Sequence, residues 1–320
     1  MEARASIRPS HQRPILRQSA GAVWTSKLRP FALDPASHMS IPKRHHFVPK
    51  MILNDFADPE GWLYWCRHRD EPSKVQRGRP SELFHKNHLY STLSESGAKD
   101  PAMEQALGML ESAAFGVVQA VLEAARRGTV PALSHAQKQL WYTFFLMQWR
   151  RTPENQLSCT SDDAASRMID GILDELRLVA PDRLDEIARF ATPESKARTI
   201  RNVRVQSLLG FRAEVMGVLE RRGIAILRIT RPGKQFIIGS RPVIKLTRPG
   251  QTDLNDPNVE MWLPISADVA VGAGQGDGGI CLIDIDDDRM IRHLNRSIAS
   301  QSAMIASGSA ALVRSIANAR

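Results

Sequence analysis

Adjacent His45 and His46 offer imidazoles whose ordinary pKa lies near neutrality, the right range for passing a proton at physiological pH. Glu104 and Glu111 offer two carboxylates. At helical pitch they stand two turns apart with Gly108 between them, so both overlook a bare patch of backbone. Gln148 and Arg151 are three apart, close enough to share one helix face, and a guanidinium suits phosphate or carboxylate. Together these types point to acid/base chemistry on a phosphate-bearing substrate. Each also has an inert reading: a hydrogen-bonded histidine beside a core strand, a solvated acidic edge, and an Arg151 that pairs with Glu104 or Glu111 to tie two helices together.

The elements that must hold these groups are legible around them. Pro49 fixes its own φ and biases Val48 toward extended backbone. His45 to Val48 are therefore expected to be strand-like, with a helix opening at or after the proline and carrying Met51, Ile52 and Phe56 on one edge. In a strand successive side chains alternate, so His45 shares a face with Phe47 and His46 with Val48, and the two rings cannot ligate one metal without a bulge. Met103, Leu107, Leu110, Ala114, Val117, Val121 and Ala125 make a helical stripe over Pro101 to Arg127. Ser134 and Gln137 stand at capping-box spacing before a helix that is apolar nearly all round. Thr152 and Pro153 read as cap and first position of the next helix, which sets Arg151 beside a helix N-terminus where an anion would be favoured.

The run RHHFVPKMILNDF, Arg44 to Phe56, resembles the opening motif of the domain-of-unknown-function 4238 family of bacterial and phage-associated proteins, its histidine falling on His46 and its proline on Pro49, with Leu53 and Phe56 following. Further pieces agree in order: the helix with Glu104 and Glu111, Arg151 to Pro153, FIIGSRPV at Phe236 to Val243, LPIS at Leu263 to Ser266, and Leu294 with Asn295. The resemblance covers about residues 41 to 310. One departure is Ser240-Arg241-Pro242, where the family has an aspartate after the serine; a role needing a carboxylate there is not carried over. The resemblance implies no activity.

Composition narrows the classes. The chain of 320 residues carries a net charge of +9, but residues 1–44 hold eight Lys or Arg against Glu2 and Asp34, a net of +6 that leaves only +3 for the remainder. Affinity for a polyanion would thus have to come from a local patch or from this arm. Residues 1–40, rich in Arg, Ser, Pro and Ala without apolar periodicity, read as a disordered basic arm, with Met39 as an alternative start. The richest apolar cluster, Trp141 to Met147, is too short to span a bilayer, so no membrane partner is expected. Cys66, Cys159 and Cys281 form no CxxC, which excludes a zinc knuckle and a disulfide framework and fits a reducing cytoplasm.

Further along, strands are expected at Trp62 to His68 and at Leu89 to Leu93, with a plain surface loop over Glu71 to Pro80 between them. Helices are expected at Ile169 to Leu178, Arg183 to Phe190 and Lys196 to Arg222. Strands follow at Ile224 to Thr230, Gln235 to Gly239, Val243 to Leu246, Val259 to Ile265, Val269 to Gly272 and Ile280 to Ile285, then a helix at Arg289 to Ala299, a closing strand at Ala303 to Ala306 and a tail over 311–320. The glycine-rich Gly272 to Gly279 lacks GxxxxGK[ST] and precedes no helix, so it is not read as a phosphate loop. The whole is α+β: a His motif with short strands, a helical block over about 100–222, and a largely antiparallel sheet with a packed helix over about 223–310, within one domain from 41 to 310. The expected function is a phosphate-handling hydrolase, in one form a nuclease, acting on nucleic acid or nucleotide. His46, Glu111 and Arg151 are the catalytic candidates, Gln148, Ser240 and Asn295 the substrate-binding ones, and Glu104 with Glu111 the candidate ligands of a divalent metal. The rival is a non-catalytic binding or scaffold protein in which these residues form a buried, satisfied network.

Overall fold

The structure, a computed structural model, describes residues 43–67, 74–210, 213–247, 251 and 253–319. The expected arm over 1–40, the start at Met39 and positions 71–73 of the expected loop lie outside the described residues. The first half of the chain runs β1 (Arg44–His46), α1 (Lys50–Asn54), β2 (Leu63–Arg67), β3 (Gln76–Gly78), β4 (His85–Asn87), β5 (Thr92–Leu93) and β6 (Lys99–Asp100). The helical block follows as α2 (Ala102–Arg127), α3 (His135–Arg150), α4 (Pro153–Cys159), α5 (Asp162–Val179), α6 (Leu184–Phe190), α7 (Pro193–Gln206) and α8 (Ala213–Arg222). The last part comprises β7 (Ile224–Ile229), β8 (Ile238–Gly239), β9 (Ile244–Leu246), β10 (Glu260–Pro264), β11 (Val269–Ala273), β12 (Ile280–Ile285), α9 (Asp288–Gln301), β13 (Met304–Ser307) and α10 (Ala310–Asn318). The fold is α+β.

Pro49 stands before α1 with φ −58° and ψ 137°, so the strand ends and the helix begins where its ring dictates. Ile52, Leu53 and Phe56 are buried while Met51 is only partly so; Leu53 takes much of the core-facing place expected of Met51. The stripe of α2 buries Leu107, Ala114, Val117, Val121 and Ala125, and Gly128 closes the helix in the left-handed conformation. In α3 the Ser134–Gln137 capping box forms, and Trp141, Tyr142 and Phe144 to Gln148 are all buried. Among the described residues α2 alone has the length and composition to cross a membrane, and it packs its apolar stripe against α3 as a core helix does.

The sheets depart from a simple meander. One has the order β12-β7-β11-β10-β9, antiparallel apart from β12 and β7. β11 ends and β12 begins opposite the same residue, Ile224, so the glycine-rich segment between them hops round the start of β7. That turn needs bare backbone: a Cβ on Gly223 would stand 2.2 Å from the Gly279 carbonyl oxygen, and one on Gly274 would stand 2.3 Å from that of Arg222. The run is therefore a wrapping turn around Arg222, whose Nε donates to the Gly274 carbonyl (2.7 Å). A second sheet, β3-β2-β13-β8, joins strands from both ends of the chain, and its edge strand β3 lies where a plain loop is expected. The expected helix over Lys196 to Arg222 breaks after Gln206, at a 3₁₀ turn ending in Gly210. The strand expected from Gln235 is confined to Ile238–Gly239 because Asn295 holds the backbone ahead of it. The expected tail is largely α10, capped by Ser309 and burying Val313, Ile316 and Ala317.

Candidate active site

The site is built on the short ladder between β1 and β4, in which His45 faces Lys86 and His46 faces His85. Both ends of β4 are wound into left-handed backbone, at Phe84 (φ 53°) and His88 (φ 52°). Bulky residues pay roughly 1–3 kcal/mol in that region, and such strain collects at functional sites. Neighbours hold it in place. The Phe47 N–H donates to the Phe84 carbonyl (2.9 Å) and the His88 N–H to that of Lys43 (2.8 Å). From α7, Arg201 donates to the His88 and Ser91 carbonyls, and Asn202 bonds both the N–H and the carbonyl of Leu93 (2.8 Å each).

On one face of β1, the fully buried His45 accepts through Nδ1 from the Tyr90 N–H (3.1 Å), and the same nitrogen is 3.5 Å from Oε2 of Glu104. A donor on Nδ1 fixes the neutral tautomer protonated at Nε2. The Glu104 side chain keeps 22% of its surface open. Burial, augmented by Glu111 and offset by Arg151, pushes its pKa up to about 7. Beside it, Arg151 donates from Nη1 to Glu111 (2.6 Å) and from Nε to the Phe47 carbonyl (2.9 Å), and the Tyr90 hydroxyl donates to the Arg151 carbonyl (2.9 Å). The histidine strand, the loop after β4, α2 and α3 are thus tied at one point. Between the two pairings open to Arg151, the ion pair is made with Glu111.

His46 lies on the other face, its ring 5.5 Å from that of the cross-strand His85. Burial, with help from His85, Lys50 and Arg151, lowers its pKa to about 4. His46 Nε2 and His85 Nδ1 are buried and have no hydrogen-bond partner among the described residues. The imidazole that meets a carboxylate is therefore His45, not His46, and Arg151 is walled off from water with 1% of its side chain exposed. Arg151 is drawn inward by Glu111 and the Phe47 carbonyl.

The remaining candidates divide. Gln148 is fully buried on α3 one turn before Arg151, and neither Oε1 nor Nε2 finds a partner among the described residues. Nη2 of Arg151 and Oε2 of Glu154 are likewise unmatched. Ser240 donates to Glu154 and accepts from the N–H groups of Ala303 (2.9 Å) and Met304 (3.2 Å), so its hydroxyl stitches α4 to β13. Asn295 is spent on the Ile237 N–H (3.0 Å) and the Gln235 carbonyl (2.8 Å), beside a separate cleft of about 520 Å³ between α9 and α10. The start of α4, expected to hold an anion, is filled: Thr152 caps Asn155, and the Asn155 amide turns back to the Trp149 carbonyl. His45, Tyr90 and Glu154 were missed as site residues; strand parity separates the two histidines but cannot say which one meets α2.

Glu111 is engaged by Arg151, and among the described residues no three His, Cys, Asp or Glu side chains gather as a ligand set.

The chain belongs to the family described as Protein of unknown function (DUF4238), whose model matches residues 44–309. Searches of curated proteins and of solved structures found no match.

Proposed function

We propose that the chain is a hydrolase of phosphate-bearing substrates, with a nucleotide or nucleic acid as the substrate class. The observation that carries this reading is Glu104: a partly open carboxyl with its pKa near 7, backed by a buried neutral His45. A group so poised accepts a proton from attacking water and returns it to the leaving oxygen as the phosphorus–oxygen bond breaks. Glu111, bonded to Arg151, lies beside Glu104 and helps hold that pKa up. The positive charges of Arg44 beside His85 and Lys50 beside His46 favour a phosphate over a neutral substrate at the ladder. His46, Gln148 and Ser240 serve as positioning residues in this reading, and a reducing cytoplasm is the compartment it supposes.

The complete burial of Arg151 favours a second reading, a non-catalytic binding or scaffold protein in which His45, Glu104, Glu111 and Arg151 only fix helix packing. One experiment separates the two. The purified full chain is incubated with nucleoside triphosphates, single-stranded DNA and RNA, with and without divalent metal, beside Glu104→Gln. Turnover that falls at least roughly 100-fold in the variant at unchanged melting temperature supports the hydrolase. No turnover of any substrate by the wild type leaves the scaffold.

A further inference from the structure

A second cavity, distinct from the corner just described, opens on the far side of α3. It measures about 740 Å³ and is walled by Leu146 and Trp149 of α3, Met168 and Ile169 of α5, and Ile200 and Val203 of α7. That volume falls within the roughly 300–1,000 Å³ of small-molecule sites. Large apolar side chains stand open at its mouth: Met168 is 65% exposed, Ile172 56% and Val203 57%. Exposed apolar groups clustered in a concave place mark a binding site more often than chance surface.

The charged groups of the lining are Arg150 and Arg204, and no Asp or Glu belongs to it among the described residues. Both guanidiniums are anchored. Arg150 donates to the carbonyls of Gly210 (2.6 Å) and Ser207 (2.7 Å), and Arg204 to Asp162 and to the Thr160 carbonyl (2.6 Å). Asp162 offsets the charge of Arg204, so the net positive charge at the edge of this aliphatic trough is that of Arg150, which suits a flexible alkyl chain ending in an anion. Thioether and branched aliphatic walls adapt to such a chain better than to a rigid aromatic plate.

We propose that this cavity binds a single-chain aliphatic carboxylate, the alkyl chain between α3, α5 and α7 and the carboxylate toward Arg150. The site shares none of its lining with the Glu104 corner and stands whether or not the chain is a hydrolase.

The test uses the full chain and a dansyl-labelled undecanoic acid as fluorescent probe, displaced by laurate or by dodecanol. The expected result is saturable enhancement, displacement by laurate, and dodecanol weaker by at least about tenfold because it lacks the charge-assisted contact. Ile172→Trp and Val203→Trp narrow the mouth from opposite walls at positions more than half exposed, and each is expected to weaken the probe about tenfold while the melting temperature holds. Absence of displaceable binding overturns the proposal, as does equal competition by the alcohol. Wild-type affinity in both tryptophan variants overturns it too. So does a dimer in sedimentation that excludes the probe, for then a second copy covers the trough.

Discussion

His45 and His46 are consecutive residues on one short strand, and the structure gives them opposite surroundings. His45 turns toward α2, accepts from Tyr90 and sits against a carboxyl whose pKa is raised to about 7. His46 turns toward the cross-strand His85, among positive charges, and its pKa drops to about 4. Burial acts on both faces in the same sense, against charge. On the first face the group it acts on is an acid, kept protonated; on the second it is a base, kept unprotonated. Type and spacing in the sequence treat the two imidazoles as equals, and only the strand's pleat and the neighbour on each side separate them.

The largest expected effect tests what ties the two faces together. Arg151→Met leaves Glu111 without its partner and removes the donor to Phe47, which sits directly after His46. Breaking a buried pair on one side costs roughly 3–5 kcal/mol. Denaturant unfolding is expected to show a loss of that size, whereas His46→Gln, which deletes no hydrogen bond to a side chain, stays within about 1 kcal/mol. A stable Arg151→Met protein would mean that the two faces are independent. Next in size is Ser240→Ala. A buried hydroxyl that joins Glu154 to two backbone N–H groups is removed, and roughly 1–3 kcal/mol is expected to go with it, read as a lower denaturant midpoint. A midpoint that does not move would show that α4 is held to β13 by other contacts.

Much of this was legible in the sequence, for reasons particular residues make plain. Pro49 announced the join between β1 and α1 because a ring constrains the backbone wherever it sits. The stripe of α2, the Ser134 cap and the bounds of β12 followed from local periodicity and local hydrogen bonding. Which histidine meets the carboxylates was not legible. Phe47 and Val48 are both buried, so the pattern of apolar residues does not distinguish the faces of β1. The choice is made by β4, a three-residue strand of polar side chains with no alternating signal, bounded by two strained residues that no sequence rule marks. The pairing of β2 with β13 was hidden for a different reason: its partners lie near opposite ends of the chain and nothing local in either records the other. Asn295 and Ser240 are read as substrate-binding because they are polar groups on rigid elements, and both are bonded within the interior, as buried polar groups generally are.

The smallest effect is the most discriminating, because the two faces should respond to pH with opposite sign. Glu104 holds its proton up to about pH 7 in the folded chain but only to its ordinary 4.5 when unfolded. Between those values the folded state binds more protons, so this face loses stability as pH rises. His46 gives up its proton at about 4 when folded and 6.5 when unfolded, so there the unfolded state binds more and stability grows with pH. In the wild type the contributions of these two groups oppose each other across the interval they share, from about pH 4.5 to 6.5. Glu104→Gln removes the falling contribution and should tilt the stability curve upward with pH relative to wild type; His46→Gln removes the rising one and should tilt it downward. Paired melting curves at a few pH values measure both. If both variants tilt the same way, the carboxyl on one face and the imidazole on the other do not have the opposed environments assigned to them, and Glu104 loses its claim to be the proton-transferring group.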